Sequence, residues 1–166
     1  MDDTRNLSDR ELEAIGKNGG VVQVTAFSAY LSPPPKDFTS RLAELRKRFS
    51  LPEAAAPDAG VQNLPAQKQD EFYKALGGLT PKASLAQYVD HIDHIVEKIG
   101  IDHVGIGSDF NHGAGVIGFQ NEAEAGNVTR ELVRRGYDEE QIRKIWGGNF
   151  LRVFHAVEAE SKKSGK

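Results

Sequence analysis

The sequence predicts an α/β chain whose sheet is incomplete. Three observations carry that expectation: strand-like runs at 21–27, which carries no charge, and 101–106, helical periodicities between and after them, and no third convincing strand pattern. Strands separated by helices pair in parallel. A two-stranded parallel sheet buried on both faces needs neighbours that this pattern does not supply, so the chain reads as a piece of a larger sheet or barrel.

Composition sets the outer limits. With 166 residues, 39% hydrophobic and 27% charged, the chain has the size of about one domain and enough apolar material to bury a core. It contains no cysteine, which excludes disulfides and thiolate-bound metal. A formal net charge of -3 gives no electrostatic footprint for nucleic acid. No segment approaches the roughly 18 apolar residues of a membrane span, and the acidic opening Met1-Asp2-Asp3-Thr4-Arg5 lacks the apolar stretch of a signal peptide.

Taken in order, Ser8 stands three residues before Glu11, the capping-box spacing, and starts a helix near Asp9 that stops at Asn18-Gly19-Gly20. Val21, Val22, Val24 and Phe27 then make a strand expected to be buried on both faces. Residues 28–80 form a long loop and helical excursion, punctuated by Pro33-Pro34-Pro35, Pro52 and Gly77-Gly78, with modest helices near 37–49 and 67–76. Thr80-Pro81 is an N-cap followed by proline at the first helical position, predicting a helix that runs to Gly100. Its stripe is Leu85, Val89, Ile92, Val96 and Ile99.

The second strand covers 101–106 and ends in Gly107-Ser108-Asp109-Phe110, followed by a glycine-rich loop over 113–118. Asn127 is expected to cap a helix closed by Arg134-Arg135-Gly136, and Asp138 with Gln141 to cap the next, which reaches Trp146. A final helix follows over 150–159, and Trp146, Phe150, Phe154 and Val157 fall at helical spacing and are expected to be core. The domain is thus expected over 1–160, with 161–166 a frayed polar tail.

Candidate chemistry is sparse. His91 and His94 lie one turn apart, but at about 100° per residue the apolar stripe leaves His91 on its border and His94 facing solvent, which argues against a shared metal. Asp109 ends an apolar strand, where function gathers in parallel sheets; it reads equally as a partly desolvated functional carboxylate or as a turn cap. Asn111 and His112 in the same loop either bond a substrate or close the turn. Arg5, in the loop entering the first helix, is either a bidentate carboxylate binder or a solvated surface arginine. The glycines at 105, 107, 113, 115 and 118 do not match a dinucleotide fingerprint.

The run Arg5-Asn6-Leu7-Ser8-Asp9, the strand Gly19-Gly20-Val21-Val22, VDHIDHIVEKIGIDHVGIGSDF from Val89, NVTRELVRRGY from Asn127 and GGNFLRVFHAVE from Gly147 together resemble the membrane dipeptidase (renal dipeptidase) family. The likeness covers most of the chain outside 28–80. It implies the C-terminal part of a (β/α)₈ barrel of the TIM type, comprising the last two strand-helix units and the terminal helices. By the same resemblance the activity is zinc-dependent hydrolysis of dipeptides with two zinc ions. The family's metal ligands all precede the Arg5-Asn6 segment, so no metal ligand is assigned within this chain. Asp109 is similar to the family's proton-transfer aspartate, and Arg5 to the arginine that grips the substrate carboxylate. Asn111 falls in a loop that departs from the family's Asp-Phe-Asp-Gly, reading Asp109-Phe110-Asn111-His112-Gly113. The resemblance implies as partners a dipeptide substrate and the upstream half of the barrel. The alternative is a non-catalytic assembly or binding module whose homo-oligomer covers the exposed sheet edges. Met1 is then expected to be an internal methionine of a fragment, or the start of a split gene.

Overall fold

In the computed structural model, residues 5–54, 56–80 and 82–164 are described. The chain divides into two units, Met1–Ser32 with Lys82–Lys166, and Pro33–Pro81.

The first unit is built on two parallel strands, β1 (Val22–Thr25) and β2 (Val104–Gly107), in register Val22↔Val104 to Thr25↔Gly107. Helix α1 (Asp9–Lys17) precedes β1 and starts with the Ser8–Glu11 capping box that the sequence predicts. A single helical turn, α2 (Ser28–Leu31), follows β1. After the second unit the chain returns as α5 (Leu85–Ile99), which crosses over to β2. Val89 and Ile92 on its buried stripe are fully inaccessible and pack with Val24, Val104, Val128 and Leu132. Full burial of side chains of this size stabilises by about 1.5–3 kcal/mol each. Beyond β2 come α6 (Ala125–Arg134), α7 (Glu139–Arg143), a kinked segment Lys144–Gly148, and α8 (Asn149–Ser164).

Several expectations are corrected. Helix α5 starts not at Thr80-Pro81 but at Ser84, whose side chain accepts from the Gln87 amide in a second capping box; Pro81 lies outside the described residues. Residues 101–103 form a 3₁₀ turn, and β2 begins only at Val104. Asn127 sits inside α6 rather than capping it, and its side-chain amide donates to the Gly118 carbonyl at 2.8 Å. Strand β1 is not buried on both faces: Val24 is buried, Gln23 is exposed and Val22 and Thr25 are half-buried. The Trp146, Phe150, Phe154 and Val157 series is exposed rather than core, with Phe154 at 51%. Periodicity identified the apolar face of α8 correctly and could not say that nothing among the described residues covers it. Helix α8 also continues past Ser161 to Ser164, since lysines at its C-terminal end suit the helix dipole.

The N-terminal ends of both strands are pinned from α8. Asn149, 2% exposed, donates through Nδ2 to the carbonyls of Ile101 (2.7 Å) and Val104 (2.8 Å). Arg152 donates to those of Gly19 and Asp102, both at 2.8 Å.

The second unit contains α3 (Phe38–Arg48) and α4 (Ala66–Gly77). They close on Phe49 and Phe72, whose rings meet edge to face at 5.3 Å. The buried Arg46 guanidinium donates to the carbonyls of Pro52, Pro57 and Ala59, which organises a segment otherwise short of regular structure.

Candidate active site

Asp109 and Asn111 lie beyond the C-terminal end of β2, next to the end of β1. At the last rung Thr25 is paired with Gly107. Beneath it the buried hydroxyl of Tyr88 lies 3.0 Å from the Val24 carbonyl and 3.4 Å from that of Gly107, so α5 clamps both strands at the point where they end. Burial pushes the phenol well above its ordinary range, which leaves it a donor. Upstream, Gly105 lies opposite Gln23, and the space beside it is taken by the Gln23 side-chain amide, which would have to swing aside for a Cβ.

Asp109 leaves β2 in the left-handed conformation, with φ 57° and ψ 28°. That backbone state is uncommon outside glycine and is more accessible to Asp and Asn than to bulkier residues. It turns the chain into the 3₁₀ segment Phe110–His112. The loop then folds back over the exit of β1: Gly115 donates to the Ala26 carbonyl at 2.7 Å, and Ser28 Oγ donates to the Gly115 carbonyl at 3.1 Å. Asp109 is exposed, where the sequence predicts partial desolvation. The described residues place no further strand against this end of the sheet that would shield it. Asn111, one residue past Phe110, is also exposed.

Arg5 belongs to a different part of the site. It lines a cleft of about 500 Å³ together with Asn6, Leu12, all four residues of β1, and His91 and Ile95 of α5. Its guanidinium sits over the Tyr30 ring at 5.2 Å, a cation–π contact that orients it. Asn6 fixes the same segment by donating through Nδ2 to the Tyr30 carbonyl at 2.9 Å. Asp109 and Asn111 are not in the cleft lining, so the structure places Arg5 along β1 and the other two at the exit of β2.

The two histidines of α5 part company as the stripe geometry predicts. His91 is half-buried in the cleft, and burial pushes its imidazole below the ordinary value against the opposing pull of the Leu31 carbonyl. His94 is exposed, with Nε2 2.7 Å from Asp9 Oδ1. Lys98 Nζ sits 2.8 Å from Oδ2 of the same carboxylate, and these two partners, Lys98 first, hold Asp9 below the usual carboxylate range. Among the described residues, no three His, Cys, Asp or Glu side chains converge as a metal-binding group. Sequence reasoning passed over Tyr30, Tyr88 and Asn149. The signals available were a polar-tipped aromatic inside an apolar helix stripe for Tyr88, and an amide directly after a glycine pair for Asn149.

The family model for membrane dipeptidase (peptidase family M19) matches residues 1–166. The dipeptidase ataJ of Aspergillus terreus is 47% identical over 74 residues, covering 44% of this chain and 18% of that protein. The dipeptidase tcpJ of Claviceps purpurea is 38% identical over 78 residues, covering 46% of this chain and 18% of that protein. Among solved structures, the probable dipeptidase PvdM from Pseudomonas aeruginosa superposes with a TM-score of 0.71 at 47% identity, over 91% of this chain and 40% of that one. A metallo peptidase from Rhodobacter sphaeroides, liganded with a phosphinate mimic of L-Ala-D-Ala, superposes with a TM-score of 0.57 at 23% identity, over 89% and 30%; that likeness is one of fold alone. The chain thus spans well under half the length of each relative.

Proposed function

The chain belongs to the membrane dipeptidase family, and on that premise we propose that it supplies the substrate-handling C-terminal portion of a zinc-dependent dipeptidase barrel. The observation that supports this most is that Asp109 follows the carboxyl end of β2, where barrel enzymes carry their chemistry, while Arg5 lines a cleft along the adjacent parallel strand β1.

The metal of the family does not fit the residues described here. His91 and His94 both line the cleft, but His94 is bonded to Asp9, and among the described residues no three His, Cys, Asp or Glu side chains converge on a metal position. Zinc, two ions in the family, is therefore assigned to the part of the barrel outside these 166 residues, and no step is routed through it.

What this chain's own residues do follows from their chemistry. Arg5, set over the Tyr30 ring, binds the terminal carboxylate of a dipeptide through paired charge-assisted hydrogen bonds. In hydrolysis a water oxygen adds to the peptide carbonyl carbon, the C–N bond breaks, and the leaving nitrogen takes up a proton. Asp109 delivers that proton or bonds the substrate amine. Asn111, beside it, bonds the substrate backbone in the position where the family carries a second carboxylate.

The test is to assemble the chain with the portion of a PvdM-type dipeptidase that it does not cover, load zinc, and follow dipeptide cleavage. Asp109→Asn is expected to lower kcat about 10²-fold or more, and Arg5→Lys to raise KM with a smaller effect on kcat. Unchanged kinetics in both variants would refute the assignments. The second reading, a non-catalytic assembly module, is favoured by one observation: among the described residues the sheet has two strands, and no further strand pairs with its edges. It requires a stable oligomer that neither binds nor cleaves dipeptides.

A further inference from the structure

A helix of a single turn does not hold itself, because fixing its backbone costs more than its few hydrogen bonds return. Helix α2 is such a turn, and it carries Tyr30, the ring over which Arg5 sits. Its N-cap residue, Phe27, makes no side-chain cap, so the turn depends on contacts with other segments. Ser28 is its first residue. A serine there ordinarily serves its own helix, but this hydroxyl is given to two distant stretches of the chain.

A hydroxyl has one proton to donate and two lone pairs that accept. The Ser28 proton goes to the Gly115 carbonyl at 3.1 Å, and its oxygen accepts from the Ala83 amide, also at 3.1 Å. Ala83 is fully buried, so its amide has no ready substitute for that oxygen. One side-chain atom thus joins three segments: the exit of β1, the approach to α5, and the loop that follows Asp109.

The main chain of that loop is already placed at the same point. Ala114 donates to the Asp109 carbonyl at 3.3 Å, and the next residue, Gly115, donates to the Ala26 carbonyl at 2.7 Å. Phe27 and Gly115 form a single parallel bridge, which brings Ser28 alongside the Gly115 carbonyl. Gly115 has φ 143°, and a Cβ on it would lie 3.1 Å from Gln120 Cα, so both backbone and space favour glycine at the junction. From the other side, Ile117 donates to the Ala83 carbonyl at 2.8 Å. Asp109 and Arg5 are therefore linked by a short series of contacts with Ser28 at its centre. It runs from the Asp109 carbonyl through the Ala114–Gly115 peptide to the Ser28 hydroxyl, and then two residues along α2 to the Tyr30 ring and the Arg5 guanidinium.

We infer that Ser28 is a positioning residue for the dipeptide site: its hydroxyl sets the turn that carries Tyr30, and with it Arg5, against the loop that carries Asp109. It acts through those two residues and not on substrate. Removing the hydroxyl takes a donor from the Gly115 carbonyl and an acceptor from the buried Ala83 amide, so the three segments part or admit water. The inference rests on the dipeptidase reading for the roles of Arg5 and Asp109, and on the contacts of Ser28 alone for its geometry.

Two measurements test it. In the isotope-labelled full chain, the ring current of Tyr30 shields the Arg5 Nε–H proton. Ser28→Ala is expected to move that resonance toward its position in free arginine and to shift the Ala114 amide with it, whereas Ser28→Thr, which keeps the hydroxyl, restores both. In the zinc-loaded assembly with the uncovered portion of PvdM, Ser28→Ala is expected to lower kcat/KM for a dipeptide about tenfold, and Ser28→Thr to stay within about twofold of wild type. On an Arg5→Lys background Ser28→Ala is expected to cost less than about threefold, because the group it positions is already altered. Ser28→Cys, close to serine in size but a weak donor and acceptor, takes the place of the alanine variant should alanine fail to fold. The inference is overturned if the Arg5 and Ala114 resonances do not move together, if kcat/KM is unchanged, or if the loss is as large on the Arg5→Lys background as on wild type, which is the mark of a merely structural role. Linked resonances in a chain whose wild-type assembly cleaves no dipeptide would sink the dipeptidase reading and leave the coupling standing, and cleavage with unlinked resonances would do the reverse.

Discussion

Asn149→Ala tests whether one buried amide holds the kinked C-terminal segment against the sheet. The side chain is 2% exposed and donates to the carbonyls of Ile101 and Val104. Ile101 is half-buried, so its carbonyl can recover a water and its loss costs about 0.5–1 kcal/mol. Val104 is fully buried, and stripping its carbonyl of this donor costs about 1–3 kcal/mol in desolvation. Together these come to about 1.5–4 kcal/mol. With a urea slope of about 2 kcal/mol/M, the midpoint falls by roughly 0.75–2 M. Trp146, the only tryptophan, stands three residues away in the same unit and donates to Thr129 Oγ at 2.9 Å, so its fluorescence reports this transition directly. Asn149→Asp sharpens the test, because a carboxylate would set oxygen against two carbonyl oxygens and destabilise further. A midpoint within about 0.25 M of wild type for the alanine variant would show that the two hydrogen bonds do not carry the attachment.

Two other outcomes follow from the same packing. Phe154→Ser, on the open face of α8, is expected to change stability by less than about 0.5 kcal/mol, whereas Ile92→Ala in the fully buried stripe of α5 is expected to cost about 2–5 kcal/mol; equal effects in chemical denaturation would contradict the assigned burial. Glu131, bonded first to Arg134 and then to Arg135, has its carboxyl pulled down to about 2. A depressed folded-state value means that its contribution is present above the unfolded value near 4.5 and is lost as pH falls toward 2. Glu131→Gln should therefore flatten the stability profile across that window, and an unchanged slope would rule out Glu131 as a source of acid lability.

The legible part of this fold was the part governed by local rules. Ser8 with Glu11 and Asp138 with Gln141 are reciprocal caps within one helical turn, and both form as their spacing requires. The stripe that set His91 against His94 is likewise a property of one helix. What could not be read locally was partnership. Ser84 and Gln87 make as good a cap as Thr80 and Pro81 promised, and the choice between them depends on where the Ser84 segment meets Ile117, whose carbonyl takes the Leu85 amide at 2.9 Å. Asn127 had the composition of a cap, yet its amide serves the Gly118 carbonyl nine residues back. The α8 series has core periodicity without a core, because an amphipathic pattern states that a face wants covering and not that this chain covers it.

The same distinction bears on the site. Arg5 reaches its place through Tyr30, five residues past the last rung of β1, whereas Asp109 stands two residues past the last rung of β2. Along the strands, neither knows of the other except through the register Thr25↔Gly107. A slip of one residue would move them relative to each other by about 3.3 Å and turn every strand side chain to the opposite face. The Tyr88 hydroxyl, which reaches the carbonyls of both strands at once, holds that register. The residues that would touch substrate are therefore positioned by residues that never do. A sequence read for chemistry alone proposes Arg5 and Asp109 but not the tyrosine that ties the two strands together beside them.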